Sequence, residues 1–445
     1  MYFRLKIAIW FIRLRLGRLW YRYNPGRLQD RRFRKLLRHI SHAPFYQTYL
    51  KPGCSITDFP VINKKVFMEQ FGRINTWGIN FKDASETALK AEESRDFSPR
   101  LGGLTVGLST GTSGNRAIFL ASDDDRARWV AAILDRVTGI SLRKRKIAFF
   151  LRANSNLYSS VKSRWLQFHF FDLLDPPAEN MRKLGLLQPD LLVAQPSMLT
   201  LIAGFSERGE LAILPQKVIS VAEVLSPEDS EYLSGVFRQP IHQVYQCTEG
   251  FLAYTCRYAT LHFNEDFIHL EKKYIEPGGR FHPVITDLLR TAQPVIRYEL
   301  DDIIVEKEAC PCGSSMTAIA FIEGRSDDIL VFRDGQGEAV RIFPDFFRKA
   351  IVLSDPSITD YTLTQISAKE LELYIRPYEA GIFQKAADSI RQLTESRGVK
   401  GIRVVQVRER NFKTGTKLRR IRNDQTSKDS RTGQLPAGQA GIGSA

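Results

Sequence analysis

Leu108-Ser109-Thr110-Gly111-Thr112-Ser113-Gly114-Asn115-Arg116 is the most informative stretch of this sequence, with two glycines and four hydroxyl side chains. It separates two apolar segments, 104–108 and 118–120, which we expect to be strands. The glycines permit the positive φ angles of a tight turn, and backbone N–H groups in such a turn can hold phosphate. No lysine follows the last glycine, so this is not the Walker pattern. A surface hairpin of small polar residues is the alternative.

Length and composition indicate a globular protein of two domains. The chain has 445 residues, of which 43% are hydrophobic and 25% charged, with a formal net charge of +15. A single core rarely serves so long a chain, and the charge favours polyanionic partners such as phosphorylated substrates, acidic lipid or nucleic acid. No apolar run approaches the ~20 residues of a spanning helix. Five unevenly placed cysteines are not a disulfide framework, so we expect a reducing, cytoplasmic location.

The first 24 residues form a separate predicted element, a basic amphipathic helix within segment 1–26. Apolar and aromatic residues alternate there with Arg4, Lys6, Arg13, Arg15, Arg18 and Arg22. The arginines rule out the apolar centre of a signal peptide. A basic helix with aromatic residues is typical of a membrane interface, which makes peripheral membrane contact one expectation. The alternative is a helix packed on the protein's own body with solvated arginines. Asn24-Pro25-Gly26 ends the helix.

Beyond residue 27 the sequence predicts strands that alternate with helices. Apolar segments at 146–151, 191–194 and 217–221 each end in polar residues, and a helical pattern starts at Asp123. Such alternation indicates an α/β domain with mostly parallel strands and a ligand site at their carboxyl ends. Polar residues after the first of these segments are candidates for contacts with an acid substrate, although an ordinary polar loop fits equally: Arg152, Asn154, Asn156 and Tyr158.

Further motifs follow in order along the chain. Val244-Tyr245-Gln246-Cys247-Thr248-Glu249-Gly250 joins an aromatic ring, a hydroxyl and a carboxylate, and the segment 294–302 ends in two acids. Segment 321–328 is a further motif. After residue 329 the predicted strands and helices become shorter, which predicts a small α+β domain in this part of the chain. Beyond Asp424 the chain has too little apolar content to fold, so 424–445 is predicted to be disordered.

The order of these motifs resembles the adenylate-forming superfamily of acyl-CoA synthetases and adenylation domains. Within it, the chain is similar to the CoF synthetase and phenylacetate–CoA ligase-like branch, because segment 36–46 also matches the "helix then Pro-Phe-Tyr" of that branch. The likeness covers residues 27 to 423. It implies a large N-terminal domain (27–326), a small mobile C-terminal domain (327–423), and the use of ATP and Mg²⁺.

The resemblance assigns nucleotide-binding roles to several of the quoted residues. The turn from Ser109 to Gly114 would hold the β- and γ-phosphates. Tyr245 would lie against adenine, Ala222 and Glu223 would line the base pocket, and Asp302 and Arg325 would bind the ribose hydroxyls.

It also assigns the catalytic positions. Thr248 would lie near the α-phosphate, Glu249 would bind Mg²⁺, Asp327 would be the hinge of the small domain, and Lys417 would bridge the substrate carboxylate and the α-phosphate. Charge screening by Mg²⁺ and a lysine suits attack of a carboxylate on phosphorus. The family's Gly-Lys pair is lengthened here to Gly415-Thr416-Lys417, so Lys413 is a rival for the catalytic amine.

A separate set of side chains predicts a structural zinc site. Three thiols and one imidazole are an ordinary ligand set for tetrahedral zinc, and relatives in the branch carry a similar set. Unrelated thiols are the alternative. The four candidate ligands, two from each of two segments, are Cys256, His262, Cys310 and Cys312.

These observations together predict an adenylate-forming acid ligase. It would activate an aryl or acyl carboxylic acid as the acyl-adenylate, release pyrophosphate and pass the acyl group to CoA or a carrier-protein thiol. Two alternatives stay within the family: transfer to an amine, as in an indoleacetate–lysine ligase, and adenylylation of the CoF synthetase type. A non-catalytic basic protein bound to membrane or nucleic acid is the alternative of another class, although no nucleic-acid-binding module is recognisable.

Overall fold

The computed structural model describes residues 2–94, 96, 99–108, 117–139, 143–151, 166–173, 175–276, 279–325, 328–409 and 419–424. These residues divide into two compact units, of which the first ends at Ile322 and the second starts at Glu323. Each unit has a hydrophobic core of its own. The sequence-based boundaries at residues 26, 326 and 423 stay predictions.

The first unit begins with helices and includes one π-helix. Pro25 is the first residue of the second helix, since proline is well tolerated in a first helical turn. A 3₁₀ turn spans Ile56–Asp58, and the π-helix Leu134–Thr138 continues α7. Within the described residues, the α-helices of this unit are α1 Tyr2–Tyr23, α2 Pro25–Ile40, α3 Pro44–Gln47, α4 Lys64–Glu69, α5 Phe71–Ile74, α6 Phe81–Ser94, α7 Asp123–Ile133, α8 Pro177–Leu187, α9 Pro196–Glu207 and α10 Pro227–Phe237.

Two short strands flank the glycine-rich turn, as the sequence predicts. They are β1 (Thr105–Leu108) and β2 (Ile118–Ala121), which pair antiparallel with Leu108 opposite Ile118. Ser122 caps the following helix α7 by accepting a hydrogen bond from the Asp125 backbone N–H. The turn residues 109–116 lie outside the described residues.

A twelve-stranded sheet forms the centre of the first unit in the described part of the chain. Its strands follow the order β10-β11-β13-β14-β9-β8-β7-β6-β5-β3-β4, with β12 paired to β11. The strands are β3 Arg145–Leu151, β4 Leu166–Asp172, β5 Leu191–Ala194, β6 Lys217–Val221, β7 Ile241–Cys247, β8 Gly250–Thr255, β9 Leu261–Phe263, β10 Ile268–Glu276, β11 Arg280–Asp287, β12 Tyr298–Glu299, β13 Asp302–Lys307 and β14 Ala318–Arg325.

The strands from β3 to β7 are parallel, and the helices α8, α9 and α10 separate β4, β5, β6 and β7 along the chain. The strand β5 is buried at all four positions, as expected for a parallel strand covered on both faces. The strand β7 joins this parallel part to antiparallel partners, beginning with β8. The predicted α/β class with a large sheet domain is therefore confirmed.

The helix α1 packs one side against α7 and the π-helix. Leu14, Gly17 and Tyr21 are the buried residues of α1. The Trp10 indole N–H donates to Asp124 Oδ1 at 3.0 Å, and Arg18 Nη2 lies 3.3 Å from Asp135 Oδ1. The helix thus packs on the protein's own body. In the described part of the chain, no helix has the length and hydrophobicity needed to cross a bilayer.

The second unit is a small α+β domain. Its helix α12 buries Ile382, Ala386 and Ile390, spaced by four residues, against the sheet. In the described residues of this unit, four strands form that sheet in the order β19-β18-β17-β20, and β15 pairs with β16 in a separate two-stranded sheet. The elements are β15 Leu330–Arg333, β16 Ala339–Ile342, α11 Pro344–Val352, β17 Asp360–Ser367, β18 Glu370–Arg376, α12 Ala380–Ser396, β19 Arg403–Gln406 and β20 Ile421–Asn423.

Candidate functional site

The candidate site lies where β6 and β7 end. These neighbouring strands are parallel, with Val221 opposite Val244, so their carboxyl ends share one edge of the sheet. Ala222-Glu223 follows β6 and Thr248-Glu249 follows β7. Two motifs that are 26 residues apart in the sequence are thereby brought to one edge, where ligands of α/β folds commonly bind.

Ala222 holds a backbone conformation that favours glycine. Its φ angle is +68°, which costs a non-glycine residue of the order of 1 kcal/mol. The adjacent Glu223 carboxylate accepts a hydrogen bond from the Ser197 backbone N–H at 3.3 Å, at the start of α9. The strained turn after β6 is therefore tied to the junction between β5 and α9.

Glu249 lies near three protonated side chains. Thr248 Oγ1 lies 2.8 Å from Glu249 Oε2, within hydrogen-bond distance. Burial, followed by the charge of Glu249, raises the pKa of both Tyr298 and Cys247, which keeps these two side chains neutral. Carboxylate and hydroxyl oxygens are the ligands that Mg²⁺ prefers, so the Glu249 carboxylate and the Thr248 hydroxyl fit that ion.

Tyr245 and Asp302 are joined by a short hydrogen bond. The Tyr245 hydroxyl donates to Asp302 Oδ2 at 2.5 Å. The ring packs edge-on against Phe263, with centroids 6.3 Å apart, and is 8% exposed. Burial and then the Asp302 charge raise the pKa of Tyr245. In this structure the ring is part of the core cluster and its hydroxyl orients the carboxylate predicted to bind ribose.

Arg290 is a buried residue of the site that the sequence did not indicate. Its Nη1 donates to the backbone carbonyls of Thr248 at 2.7 Å and Glu249 at 3.1 Å. Its Nη2 donates to Gln293 Oε1 at 2.9 Å. Burial lowers the pKa of this guanidinium, and the Asp287 charge opposes that shift. Arg290 therefore fixes the backbone that carries the candidate Mg²⁺ ligand.

The remaining predicted residues are distributed as follows. Arg325 lies at the end of β14, in the second unit, and its backbone N–H donates to Asp328 Oδ2 at 3.3 Å. Asp328 is also paired with Arg419, which follows Lys417 by two residues. The structure does not describe the phosphate turn from Ser109 to Gly114, the hinge candidate Asp327, the two lysines 413 and 417, or the candidate acid contacts Arg152, Asn154, Asn156 and Tyr158.

The four predicted zinc ligands lie together. Cys256 follows β8, His262 is in β9, and Cys310 and Cys312 lie between β13 and β14. One potential ligand atom from each residue lies within 4.8 Å of the others. Cys256 Sγ is 3.6 Å from Cys310 Sγ, and Cys312 Sγ is 3.4 Å from His262 Nε2.

The surroundings of this cluster suit metal-bound thiolates. His262 Nδ1 lies 3.1 Å from the Met316 carbonyl, and donation to that oxygen leaves Nε2 as the lone-pair atom that faces the thiols. The Tyr258 and Ser314 backbone N–H groups donate to the Cys256 and Cys312 sulfurs, both at 3.4 Å. Three thiols and one imidazole fill a tetrahedral shell, and this set therefore fits structural zinc.

Comparison with known proteins identifies the fold. No family model and no curated protein sequence matches the chain. Among solved structures, it is similar to 2-hydroxyisobutyryl-CoA ligase in the postadenylation state in complex with 2-HIB-AMP, with a TM-score of 0.65, 17% identity, and coverage of 91% of this chain and 90% of that one. The anthranilate CoA ligase AuaEII in complex with anthranoyl-AMP gives a TM-score of 0.52 and 10% identity, covering 74% of this chain and 67% of that one.

A third similar structure is the amide bond synthetase McbA from Marinactinospora thermotolerans, with a TM-score of 0.51, 11% identity, and coverage of 69% and 65% of the two chains. The chain thus has the fold of the adenylate-forming acid ligases. The predicted resemblance to that superfamily is confirmed at the level of the fold. Membership of the CoF synthetase and phenylacetate–CoA ligase-like branch stays a prediction.

Proposed function

We propose that the chain is an ATP-dependent acid ligase that forms an acyl-adenylate from an aryl or acyl carboxylic acid. The observation that carries the proposal is the convergence of Thr248-Glu249 and the Tyr245–Asp302 pair at one edge of the sheet in this fold. These residues carry the phosphate-side and ribose-side roles that the resemblance implies. The structures of similar fold include two acid–CoA ligases in complex with acyl-AMP compounds.

In the first half-reaction, a carboxylate oxygen of the acid attacks the α-phosphorus of ATP. The bond from that phosphorus to the bridging oxygen breaks, and pyrophosphate leaves with the electron pair. Glu249 would hold Mg²⁺, which screens the phosphate charges. Asp302, oriented by Tyr245, would accept hydrogen bonds from the ribose. Lys417 would place its positive charge between the carboxylate and the α-phosphate, where charge builds up in the transition state.

In the second half-reaction, a nucleophile attacks the acyl carbon and AMP leaves. We propose a thiol, of CoA or of a carrier protein, as the nucleophile, in line with the CoA ligases of similar fold. An amine is the second candidate, because the amide bond synthetase shares the fold. Adenylylation that stops at the adenylate, as in CoF synthetases, is the third. We propose no nucleic-acid partner.

The decisive experiment is acid-dependent exchange of radioactive pyrophosphate into ATP, over a panel of aryl and fatty acids. Lys417→Ala should abolish exchange and leave ATP binding near the wild-type affinity, because its interaction is made mainly in the transition state. Lys413→Ala is the matched control and should keep exchange. The reverse result would move the catalytic role to Lys413, and no exchange by the wild type with any acid would contradict the proposal. Product formation with CoA or an amine then identifies the acceptor.

We also propose that Cys256, His262, Cys310 and Cys312 bind one structural zinc ion. The fit of the four side chains supports this ion, whose role would be to join the segment after β8 to the segment before β14. We propose the cytoplasm as the location, with peripheral membrane contact through residues 1–24.

A further inference from the structure

The outer side of α1 carries a row of exposed apolar and aromatic side chains. The row, which we call the α1 stripe, consists of Leu5, Ile9, Ile12, Leu16, Leu19 and Tyr23. Its members are spaced by three or four residues, which places them on one side of the helix. Ile12 is 58% exposed and Leu16 is 60% exposed, whereas Leu14, on the opposite side, is buried against the body of the protein.

Positive charge surrounds the α1 stripe. The helix has six basic residues and no acidic one. Arg15 and Arg18 pair with Asp135, whereas Arg4, Arg13 and Arg22 are exposed. Apolar residues on one side of a helix with arginines beside them are typical of helices that lie in the plane of a membrane surface.

The neighbouring helix α2 extends the positive surface. Arg31 of α2 lies over the Trp20 ring of α1, 5.4 Å from its centroid. Burial, followed by the charges of Arg31 of α2 and Arg13 of α1, lowers the pKa of Lys35. The exposed basic side chains that α2 contributes are Arg27, Arg31, Arg34, Lys35 and Arg38, with Asp30 as an exposed acid beside them.

We propose that the α1 stripe docks on an anionic lipid bilayer, with α1 parallel to the membrane surface. The stripe would enter the region between headgroups and acyl chains, and the arginines of α1 and α2 would contact the acidic headgroups. A helix of 22 residues is ~33 Å long, so the contact is extended. Basic residues near such a surface are attracted over about a Debye length. This docking rests on the membrane contact proposed above for residues 1–24, for which it names the lipid and the side chains, and it does not depend on the proposed reaction.

Charge also decides between this partner and others. A second copy of the chain would bring another α1 with six basic residues and no acid against the first, and like charges would oppose that pairing. A nucleic acid would attract the arginines but would leave the α1 stripe exposed to water. An anionic bilayer is the partner that satisfies both the apolar row and its basic surroundings.

The experiment is flotation of the full-length protein with vesicles. We expect it to bind vesicles of equal parts phosphatidylglycerol and phosphatidylcholine at least about tenfold more tightly than vesicles of phosphatidylcholine alone, with weaker binding at high salt. The double variant Ile12→Asp/Leu16→Asp should lose this binding by about tenfold or more. Arg13→Glu/Arg22→Glu should weaken binding to the anionic vesicles only.

Leu214→Asp is the matched control, because Leu214 is 89% exposed and lies outside α1. It should bind vesicles like the wild type, and all variants should keep the wild-type circular dichroism spectrum and thermal midpoint. Equal binding by Ile12→Asp/Leu16→Asp and the wild type would overturn the proposal. Equal wild-type binding to neutral and anionic vesicles would also overturn it. A third outcome would also overturn the proposal: the wild type fails to bind vesicles but self-associates, and the double variant does not self-associate. That result would assign the α1 stripe to contact with a second copy of the chain.

Discussion

Tyr245 donates its phenolic hydrogen to Asp302 Oδ2 across 2.5 Å, although the two residues are 57 positions apart in the chain. The bond fixes a carboxylate at the start of β13 through a hydroxyl on β7. In the proposed reaction this carboxylate binds ribose. If Asp302 has this role, the orientation of the nucleotide would depend on Tyr245, a side chain whose ring belongs to the hydrophobic core.

Tyr245→Phe should weaken ATP binding because Asp302 loses the donor that orients it. We expect a rise of about fivefold to tenfold in the KM for ATP, measured by pyrophosphate exchange, and a loss of about 1 kcal/mol in the free energy of unfolding. Tyr46→Phe is the control, since the buried Tyr46 hydroxyl donates to the Pro294 carbonyl instead. It should lower stability without changing the KM. An unchanged KM in Tyr245→Phe would contradict the role given to this bond.

Arg290→Lys should raise the Mg²⁺ concentration needed for half-maximal activity. A lysine keeps the positive charge but cannot span both the Thr248 and Glu249 carbonyls and Gln293. We expect a shift of about threefold to tenfold, because the turn that carries Glu249 would be less well fixed.

Arg136→Lys provides the comparison for that variant. Arg136 is also buried, and its Nη2 pairs with Asp266 at 2.7 Å. Both lysine variants should unfold at lower denaturant concentration, and the Mg²⁺ dependence should move in Arg290→Lys alone. A purely structural role for Arg290 would leave the Mg²⁺ titration unchanged in both.

Zinc analysis of the purified protein should find about one ion per chain. Cys310→Ala and Cys312→Ala should lose the ion and lower the thermal midpoint, whereas Cys54→Ala, which lies outside the cluster, should keep it. Acidification should release the ion, because protons compete with zinc for the thiolates and the imidazole. A metal-free wild type with unchanged stability would rule the site out.

The stability of the fold should fall in mild acid partly through His242. Burial, and secondly the charge of Lys217, lowers the pKa of His242 from 6.5 to about 4. Since the folded pKa lies below the unfolded one, unfolding takes up a proton between about pH 6.5 and pH 4, and stability is lost as the pH falls through this window. The loss is about 1–2 kcal/mol, allowing for the partial exposure of the ring.

His242→Gln tests this contribution, because glutamine can still bond to the Thr255 hydroxyl that lies 2.9 Å from His242 Nδ1. The free energy of unfolding should decline less steeply in the variant than in the wild type between pH 7 and pH 5. Parallel declines would show that His242 does not contribute.

The sequence predicted those parts of the site that rest on local patterns. The apolar segment 217–221 before Ala222-Glu223 predicted a strand with polar groups at its carboxyl end. Parallel pairing of β6 and β7 brings Thr248-Glu249, which the sequence singled out by residue type, to the same edge. The zinc candidates were recognisable because thiols and imidazoles are rare and lie in two short segments.

Contacts that depend on tertiary packing were not predictable. Arg290 stands in a loop with no periodicity, and its role is set by carbonyls more than 40 positions away. The partner of the Tyr245 hydroxyl could not be found for the same reason. The fixed side of α1 depends on Asp124 and Asp135, whose positions relative to the basic helix no local pattern reveals.

The π-helix Leu134–Thr138 has a consequence for shortened forms of this protein. Within it, the neighbouring residues Asp135 and Arg136 have buried side chains. Asp135 pairs with Arg15 and Arg18 of α1. Arg136 pairs with Asp266. Removing residues 1–24 would take both α1 arginines from Asp135 and would expose the apolar surface that Leu14 and Tyr21 cover. The N-terminal helix is therefore not a separable extension, and removing it for crystallisation or expression would lower the stability of the fold.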